Sequence, residues 1–584
     1  MPKLVEMLAR QPHMSATSAC RRFAIGVVGE SEAPSGLRLF TTLASIFPVD
    51  FRSCIESDCD GLDAVVVLGL DPERIRMAAS TGLPVFAVAA QPSTAAARKS
   101  TRIRFGDDAA LSACWRGYCC EVRDSAIGSA LEEAVGDVVL AWQDGVPIWT
   151  QRRVVGVNVM MAALPLPLFT ERDFIHDYLW PSELLHLLPL LQFLRNLTRA
   201  EDWQSPPTPA CLVVDDPNLH LRTYGYLDFQ RLADDAWAQN FFVSIAMVPL
   251  DSWWIGREVR EIFRQNAPRI SILLHGNNHT YEELACPASE AEILSLLSEA
   301  LRRMERLENE AGMEVCRVME CPHCAIAEDR LEPMAKLGYE AALASTAYFL
   351  KFNPDVRFRS ELGAEPTLLT EKAVPILPRI QVYADWETDV RLAAFLRQPM
   401  FLATHHWDFA HGSHVVQDFA EIVNSLPDVC WASPKGAARA CYQFRQVGDV
   451  LHIKLGSRLV DVAVGRGMRK VVVHRPWLHG KDESELMVLR GESKELFRAV
   501  SSAAVIGPIS LDESTVLELS SSLLDKVDSN SVSAPPRRYW PLVRRFMAEV
   551  RDRSLLGVYL RGQVDESNGR RARSCETGDA LPRE

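Results

Sequence analysis

Between residues 205 and 436 the chain alternates short apolar runs with helical stretches, and this alternation constrains the fold more than any other feature. Helical stretches separate several of the apolar runs, most clearly residues 289–310. Continuous apolar strands joined by helical crossovers are typical of a parallel sheet that is buried on both faces. The pattern therefore predicts a seven-stranded parallel (β/α) barrel, open or closed, over residues 205–438. The seven strand candidates are residues 210–214, 241–247, 270–274, 317–321, 341–344, 374–380 and 400–404.

Polar side chains cluster directly after the apolar runs of this predicted barrel. Asp215 and Asp216 follow the first run, His275 follows the third, and His405 and His406 follow the seventh. Because the chemistry of parallel barrels gathers at the carboxyl ends of the strands, we expect these side chains to lie close together. Two adjacent carboxylates repel each other and need a cation or a proton. The sequence thus predicts a charged site at one end of the barrel.

His275 and His279 form an HxxxH pair in the loop after the third run. Imidazoles four residues apart can converge on one metal ion if the loop opens a helical turn. The adjacent carboxylates of Asp215 and Asp216, at the end of another strand, strengthen that interpretation. The alternative is a chance spacing of two histidines together with a solvated Asp-Asp-Pro-Asn turn.

The order of these motifs resembles that of the polysaccharide deacetylase superfamily, the NodB-homology domain. The resemblance covers about residues 205–436, and motif order together with strand placement makes it specific. It consists of Val213-Val214-Asp215-Asp216, then His275-x-x-x-His279, then the turn Glu320-Cys321-Pro322, then Leu402-Ala403-Thr404-His405.

The resemblance implies a role for five residues. Asp216, His275 and His279 would bind a divalent metal ion, zinc by default, with cobalt or nickel as alternatives. Asp215 would be the general base that takes a proton from water, and His405 the general acid that protonates the leaving amine. The implied reaction removes an N-acyl group, N-acetyl in the first place, from an amino sugar or a glycoconjugate.

The third motif departs from the family pattern. The family has Arg-x-Pro there, with the arginine orienting the catalytic base, whereas this chain has Glu320 at that place. Arg379, at the end of a predicted strand, and Arg317 are the candidates to supply the missing guanidinium.

The fourth motif is reduced to Asp385-Trp386, in which Asp385 could orient the acid histidine, and His406 competes with His405 for the acid role. The residues predicted to bind or orient the substrate are Asn218, Glu320, His323, Arg379, Asp385, His406 and Trp407.

Two other functions stay open for this region. Cys321-Pro322-His323-Cys324 is a CxxC motif with the inner residues of strongly oxidising thiol–disulfide oxidoreductases, and a helix start there would lower a thiol pKa. A barrel that binds glycan without catalysis is the other alternative, which Glu320 in the place of arginine favours.

Residues 20–165 predict a separate α/β domain. Apolar runs at 24–29, 64–68 and 85–89 predict a flavodoxin-like parallel sheet, and residues 137–149 predict two strands joined by an Asp-Gly turn. In outline the domain resembles class I glutamine amidotransferases, which place a cysteine on a sharp turn after a strand. Gln91, Pro92 and Ser93 follow the third run instead, so we expect a binding or scaffolding domain.

The remaining segments predict smaller units. Residues 166–204 are expected to form a helical connector, residues 439–527 a β-rich module, and residues 528–584 a linker, a basic helix and a disordered tail. The basic helix, near residues 541–556, is amphipathic and could contact a membrane surface or an acidic partner. A solvated face is the alternative.

Composition restricts the partners. The net charge of −13 argues against nucleic acid, and no run of about 20 apolar residues predicts a transmembrane helix. The first residues do not have the pattern of a signal peptide, and the 14 cysteines are irregularly spaced. We therefore expect a cytoplasmic protein with reduced thiols. The carbohydrate substrate is an expectation from the resemblance to the polysaccharide deacetylases alone.

Overall fold

The computed structural model describes residues 21–29, 34–54, 60–90, 98–199, 203–356, 358–368, 374–383, 385–511, 515–536 and 538–553. Within them lie three β-sheet regions in chain order. Gln91, Pro92 and Ser93, where the amidotransferase resemblance requires a nucleophile, lie outside the described residues. That resemblance stays a prediction, as do the domain boundaries. Among the described residues no helix is both long and apolar enough to cross a membrane.

The N-terminal region contains one nine-stranded mixed sheet. Its parallel half has the order β2-β1-β3-β4-β9, and the antiparallel half continues β8-β7-β5-β6. The parallel half confirms the flavodoxin-like sheet, and Asp144-Gly145 forms the predicted turn, with positive φ at both residues. The strands are β1 Phe23–Val28, β2 Val49–Ser53, β3 Ala64–Leu68, β4 Val85–Val88, β5 Arg98–Phe105, β6 Cys119–Ala126, β7 Val138–Gln143, β8 Val146–Val154 and β9 Val157–Ala162; the helices are α1 Pro34–Ile46, α2 Pro72–Ser80 and the connector α3 Leu184–Thr198.

The central region is a closed parallel barrel of seven strands, as the sequence predicts. The ring runs β10-β13-β14-β15-β16-β17-β18 and closes because β18 pairs with β10. The short β19 extends it beside the start of β10. The strands are β10 Thr208–Asp215, β11 Thr223–Tyr224, β12 Leu227–Asp228, β13 Val243–Met247, β14 Ile270–His275, β15 Val315–Glu320, β16 Ala341–Ala344, β17 Ile376–Gln381, β18 Met400–His405 and β19 Val429–Trp431.

Helices connect the barrel strands and cover them. Burial of the strands on both faces explains why they have continuous apolar sequences. The helices are α4 Phe229–Ala238, α5 Arg257–Gln265, α6 Glu290–Ala311, α7 Leu331–Lys336, α8 Thr346–Phe352, α9 Trp386–Leu396, α10 His414–Ser425 and α11 Pro434–Arg439.

The C-terminal region contains two four-stranded sheets, β20-β21-β23-β26 and β22-β27-β24-β25, which share one apolar core. This arrangement confirms the predicted β-rich module. The strands are β20 Tyr442–Val447, β21 Val450–Leu455, β22 Leu459–Ala463, β23 Lys470–His474, β24 Glu485–Arg490, β25 Glu495–Ser501, β26 Val505–Ser510 and β27 Val516–Ser522. A last helix, α12 Trp540–Arg553, packs across the carboxyl ends of the barrel strands.

Candidate metal centre

Four barrel strands end on a carboxylate or an imidazole residue at the same end of the ring. Asp215 is the last residue of β10, His275 of β14, Glu320 of β15 and His405 of β18. The register places Asp215 directly opposite His405 and His275 opposite Glu320. Parallel pairing therefore brings these groups together although as many as 190 residues separate them in sequence.

The side chain of Asp216 meets the two histidines of the HxxxH pair. Its Oδ1 atom lies 3.7 Å from His275 Nε2 and 3.4 Å from His279 Nε2. These three potential ligand atoms all lie within 4.8 Å of one another. Asp216 has a φ of 80° and His279 a φ of 54°, so both candidate ligand residues adopt the left-handed backbone conformation.

Burial and charge set the protonation of this cluster. Burial lowers the pKa of His275 and of His279 to about 3, so both imidazoles are neutral near pH 7. Burial opposes the charge of Asp216, but attraction to the rings of His279 and His275, which become positively charged only at low pH, and to the Arg545 guanidinium keeps the pKa of Asp216 well below its ordinary value. A carboxylate beside two neutral imidazoles is a ligand set suited to a divalent metal.

The loop that carries the histidines is fixed by one carboxylate. Glu283 Oε1 accepts hydrogen bonds from the backbone N–H of Asn277 at 2.6 Å and of His279 at 2.9 Å. Gly276 has a φ of 61°, and a Cβ atom there would lie 2.2 Å from Glu283 Oε1. Arg303, on α6, donates to the side-chain oxygen of Asn277 at 2.7 Å. Glu283 and Arg303, which both lie outside the HxxxH motif, thus hold the loop in place. The sequence analysis did not select Glu283, and its position four residues after His279 is the one feature of the sequence that could have indicated this role.

A second network joins Glu320 to the catalytic candidates. Arg379, on β17, donates to Asp215 Oδ2 at 2.5 Å and also contacts Glu320. Glu320 in turn forms a close pair with His275 Nδ1. Both acids and the arginine are buried. The guanidinium that the third motif lacks therefore reaches Asp215 from the next strand but one, whereas Arg317 pairs with Glu308 at 2.7 Å.

His405 stands at the edge of the cluster, on the side of Asp215. Its Nε2 atom lies 3.9 Å from Asp215 Oδ2, and its side chain is one-third exposed. The ring of Trp407 stacks on it with centroids 4.1 Å apart and an interplanar angle of 11°. Asp408 accepts a hydrogen bond from the backbone N–H of His405 at 2.7 Å. The imidazole is therefore held in place while remaining accessible.

The other predicted residues occupy different positions around the cluster. His323 is exposed, and its ring meets that of His279 at 5.0 Å. Asn218 is buried and accepts from Arg553 of α12 at 3.3 Å. His406 is buried, with its Nε2 atom 3.7 Å from Asp552 Oδ2. Asp385 instead begins α9, where its electrostatic neighbour is Arg123 of the N-terminal region, and the structure does not bring it to His405.

The C-terminal helix contributes two arginines to the site, which sequence reasoning did not predict. Arg545 is buried, pairs with Asp251 through its Nε atom at 3.0 Å, and has Nη1 3.6 Å from Asp216 Oδ1. Arg544 donates to the backbone carbonyl of His279 and lies 3.2 Å from its Nδ1 atom. Burial alone would lower the pKa of Arg545, but attraction to Asp251 outweighs it and raises that pKa above its ordinary value.

The two cysteines of the CxxC motif are buried behind the site as free thiols. Burial raises the pKa of Cys321 well above its ordinary value and that of Cys324 to about 12. Gln381 donates to the sulfur of Cys324 at 2.7 Å. Because the thiolate is the nucleophile in thiol–disulfide exchange, this environment disfavours the oxidoreductase alternative.

Comparison with known proteins gives partial similarity. No family model and no curated protein matches the chain. A protein from Mycobacterium smegmatis described as a candidate polysaccharide deacetylase aligns at 14% identity with a TM-score of 0.29, over 41% of this chain and 94% of its own. The Xyl-CE4 domain of a multidomain xylanase from the hindgut metagenome of Trinervitermes trinervoides aligns at 12% identity and 0.23, over 39% and 87%.

A third solved structure matches about a quarter of the chain. This protein, a candidate GMP synthase component from Thermoplasma acidophilum, aligns at 11% identity with a TM-score of 0.18, over 24% of this chain and 83% of its own. TM-scores this far below 0.5 do not establish a shared fold, so any function proposed for this chain depends on the geometry of the site.

Proposed function

We propose that the barrel is a metal-dependent hydrolase that removes an N-acyl group, N-acetyl in the first place, from an amino sugar or a glycoconjugate. The observation that carries the proposal is the convergence of Asp216, His275 and His279 beside a second carboxylate, Asp215, that an arginine holds. The acetamido sugar is taken from the resemblance of the motifs to the polysaccharide deacetylases.

Asp216, His275 and His279 would hold the divalent ion. They fit it because Asp216 Oδ1 is buried and has no hydrogen-bond partner among the described residues, although two imidazole nitrogens lie within 4 Å of it. A group arranged in this way lacks the hydrogen bonds that buried oxygens normally have. When bound, such an ion polarises an acyl carbonyl and lowers the pKa of water. Zinc is our first expectation for these ligands.

Asp215 is suited to act as the general base. Arg379 fixes its Oδ2 atom, and its Oδ1 atom is buried without a hydrogen-bond partner among the described residues. That oxygen can accept a proton from a water molecule as the water oxygen attacks the acyl carbon. Arg379 would then do for the base what the arginine of the third family motif does.

His405 is suited to act as the general acid. Its ring is fixed by Trp407 and lies on the accessible side of Asp215. When protonated it can give a proton to the sugar nitrogen as the C–N bond breaks, which leaves a free carboxylate and an amine. Trp407 and His323, which border the same opening, would contact the sugar.

Metal content tests the first part of this proposal. We expect one divalent ion per chain, and loss of that ion in His275→Ala/His279→Ala, measured by elemental analysis of the purified protein. His452→Ala/His474→Ala is the matched control, because it removes a histidine pair, 3.3 Å apart, from the C-terminal region. If the site variant retains as much metal as the parent, the ligand assignment is wrong.

Acetate release from a panel of N-acetylated saccharides tests the reaction. Asp215→Asn is expected to keep its metal and to lose about 10²–10⁴-fold in rate, because a general base contributes that much. Asp385→Asn is the matched control and should retain most of the activity. If fully metallated parent releases no acetate but binds the saccharides tightly, the barrel is a binding module instead.

A further inference from the structure

The amphipathic C-terminal helix α12 turns its polar face toward the protein and its apolar face toward solvent, the reverse of an ordinary surface helix. The residues buried against the barrel include Arg545 and Asp552, whereas its large apolar side chains face outward. Phe546 is 65% exposed and Leu542 50% exposed. Large contiguous apolar patches are rare on soluble monomers and mark sites of interaction. The helical residues of this apolar face are Trp540, Leu542, Val543, Phe546, Met547 and Val550.

Aromatic side chains from the barrel loops border this apolar face. Tyr281 is 64% exposed and lies beside the helix, with its ring 5.9 Å from the Arg544 guanidinium carbon. Trp253 and Trp254 are also exposed, and both pack against His220, which contacts Glu549 of the helix at 3.9 Å. The apolar face therefore continues onto the end of the barrel that carries the candidate metal centre.

The charge of this segment is opposite to that of the whole chain. Residues 537–553 contain six arginines and two acidic residues, whereas the chain carries a net charge of −13. Arg538, two residues before the helix, and Arg551, in its last turn, are both exposed, and the Nε atom of Arg551 also pairs with Asp552 at 2.8 Å. Between them the apolar face from Leu542 to Val550 has only hydrocarbon and thioether side chains. Protein interfaces of standard size contain about ten hydrogen bonds, whereas the five side chains at the centre of this face offer no donor, and the donors of Trp540, Tyr281 and the exposed arginines lie only at its border.

We propose that α12 and the aromatic side chains beside it form a docking surface for an anionic lipid bilayer. The apolar face would enter the boundary between headgroups and acyl chains, the tryptophans and tyrosine would lie at headgroup level, and Arg538 and Arg551 would contact lipid phosphates. The helix differs from a free interfacial helix because ion pairs fix its polar face to the protein. Docking in this way holds the mouth of the barrel against the bilayer, where amphiphilic glycoconjugates are found.

Co-sedimentation with vesicles tests this proposal with the full chain and needs no assay of hydrolysis. The vesicles are phosphatidylcholine alone, and phosphatidylcholine with about one-third phosphatidylglycerol. We expect the parent to bind the anionic vesicles and to bind them more weakly as salt is added. Leu542→Asp/Phe546→Asp should bind at least about tenfold more weakly, since two charges enter the apolar face. Leu524→Asp is the control, because Leu524 is 57% exposed but lies outside the apolar face. This variant should bind the anionic vesicles as strongly as the parent.

Each contrary result overturns the proposal. The proposal is wrong if the parent protein stays in solution with both vesicle types. It is also wrong if the double variant binds the anionic vesicles as strongly as the parent. If the parent is a dimer that the substitutions dissociate, and neither vesicle binds, the face joins two copies of the chain. Circular dichroism and metal content check that the variant is folded, and Leu542→Ser/Phe546→Ser replaces it if it is not. Failure of vesicle binding leaves acetate release untouched, so this proposal and the proposed function can fail separately.

Discussion

Helices α6 and α12 both lie against the barrel, but α6 contacts it through its apolar face and α12 through its polar face. In α6 the apolar positions, among them Leu297, Leu301 and Met304, are fully buried, and a capping box fixes its first turn. In α12 the inward positions are charged, and Arg545 pairs with Asp251. The hydrophobic effect therefore makes α6 a part of the fold, whereas hydrogen bonds and ion pairs attach α12 to a barrel that is already complete.

The largest effect is expected when the buried face of α6 is cut back. Leu297→Ala should lower the free energy of unfolding by about 2–5 kcal/mol, because it removes a fully buried side chain and leaves a cavity. Denaturant unfolding followed by circular dichroism measures this loss. A change below about 0.5 kcal/mol would contradict the view that hydrophobic burial holds α6.

A smaller and local effect is expected at the attachment of α12. Arg545→Lys should weaken docking of the helix by about 2 kcal/mol, because a lysine ammonium cannot reproduce the two bonds from Nε and Nη2 to Asp251. Hydrogen exchange of the α12 amides should accelerate while that of α6 stays unchanged. Arg538→Lys is the control, since Arg538 is exposed and precedes the helix. Equal acceleration in both helices would show that α12 unfolds together with the barrel.

The smallest effect is expected on the outer face of α12. Phe546→Ser should change the free energy of unfolding by no more than about 0.5 kcal/mol, because the phenyl ring is mostly exposed. Denaturant unfolding of Phe546→Ser and of Leu297→Ala under the same conditions compares the two free energies of unfolding directly. A loss of more than about 1 kcal/mol would mean that another part of the chain covers this face, and lipid could then not reach it.

The seven barrel strands could be predicted within a few residues because parallel strands buried on both faces have uninterrupted apolar sequences. The prediction of residues 270–274, for example, corresponds to β14 Ile270–His275. Local spacing also selected His275 and His279, which the structure brings together with Asp216. Regular burial is thus the part of this fold that the order of residues records most directly.

The contacts that could not be predicted are long-range and charged. Arg379 and Asp215 are 164 residues apart, so neither position shows that the other is its partner. The role of Arg545 could not be predicted for a different reason, because basic residues on a helix are usually solvated. Its burial depends on Asp251, far away in the chain, and on a docking mode in which the polar face turns inward. Pairing of this kind is specified by the whole fold and leaves no local pattern.

The left-handed backbone of Asp216 has a consequence for how this protein can be changed. A φ of 80° suits glycine, whereas an aspartate there has a conformational cost and also places a buried charge beside Arg545 and two imidazoles. Selection for heat resistance alone would therefore favour Gly at position 216, in a protein without the carboxylate that we propose as a metal ligand. If the proposed function is correct, engineering of a more durable variant has to keep aspartate at position 216, because backbone stability and metal binding then make opposite demands on one residue.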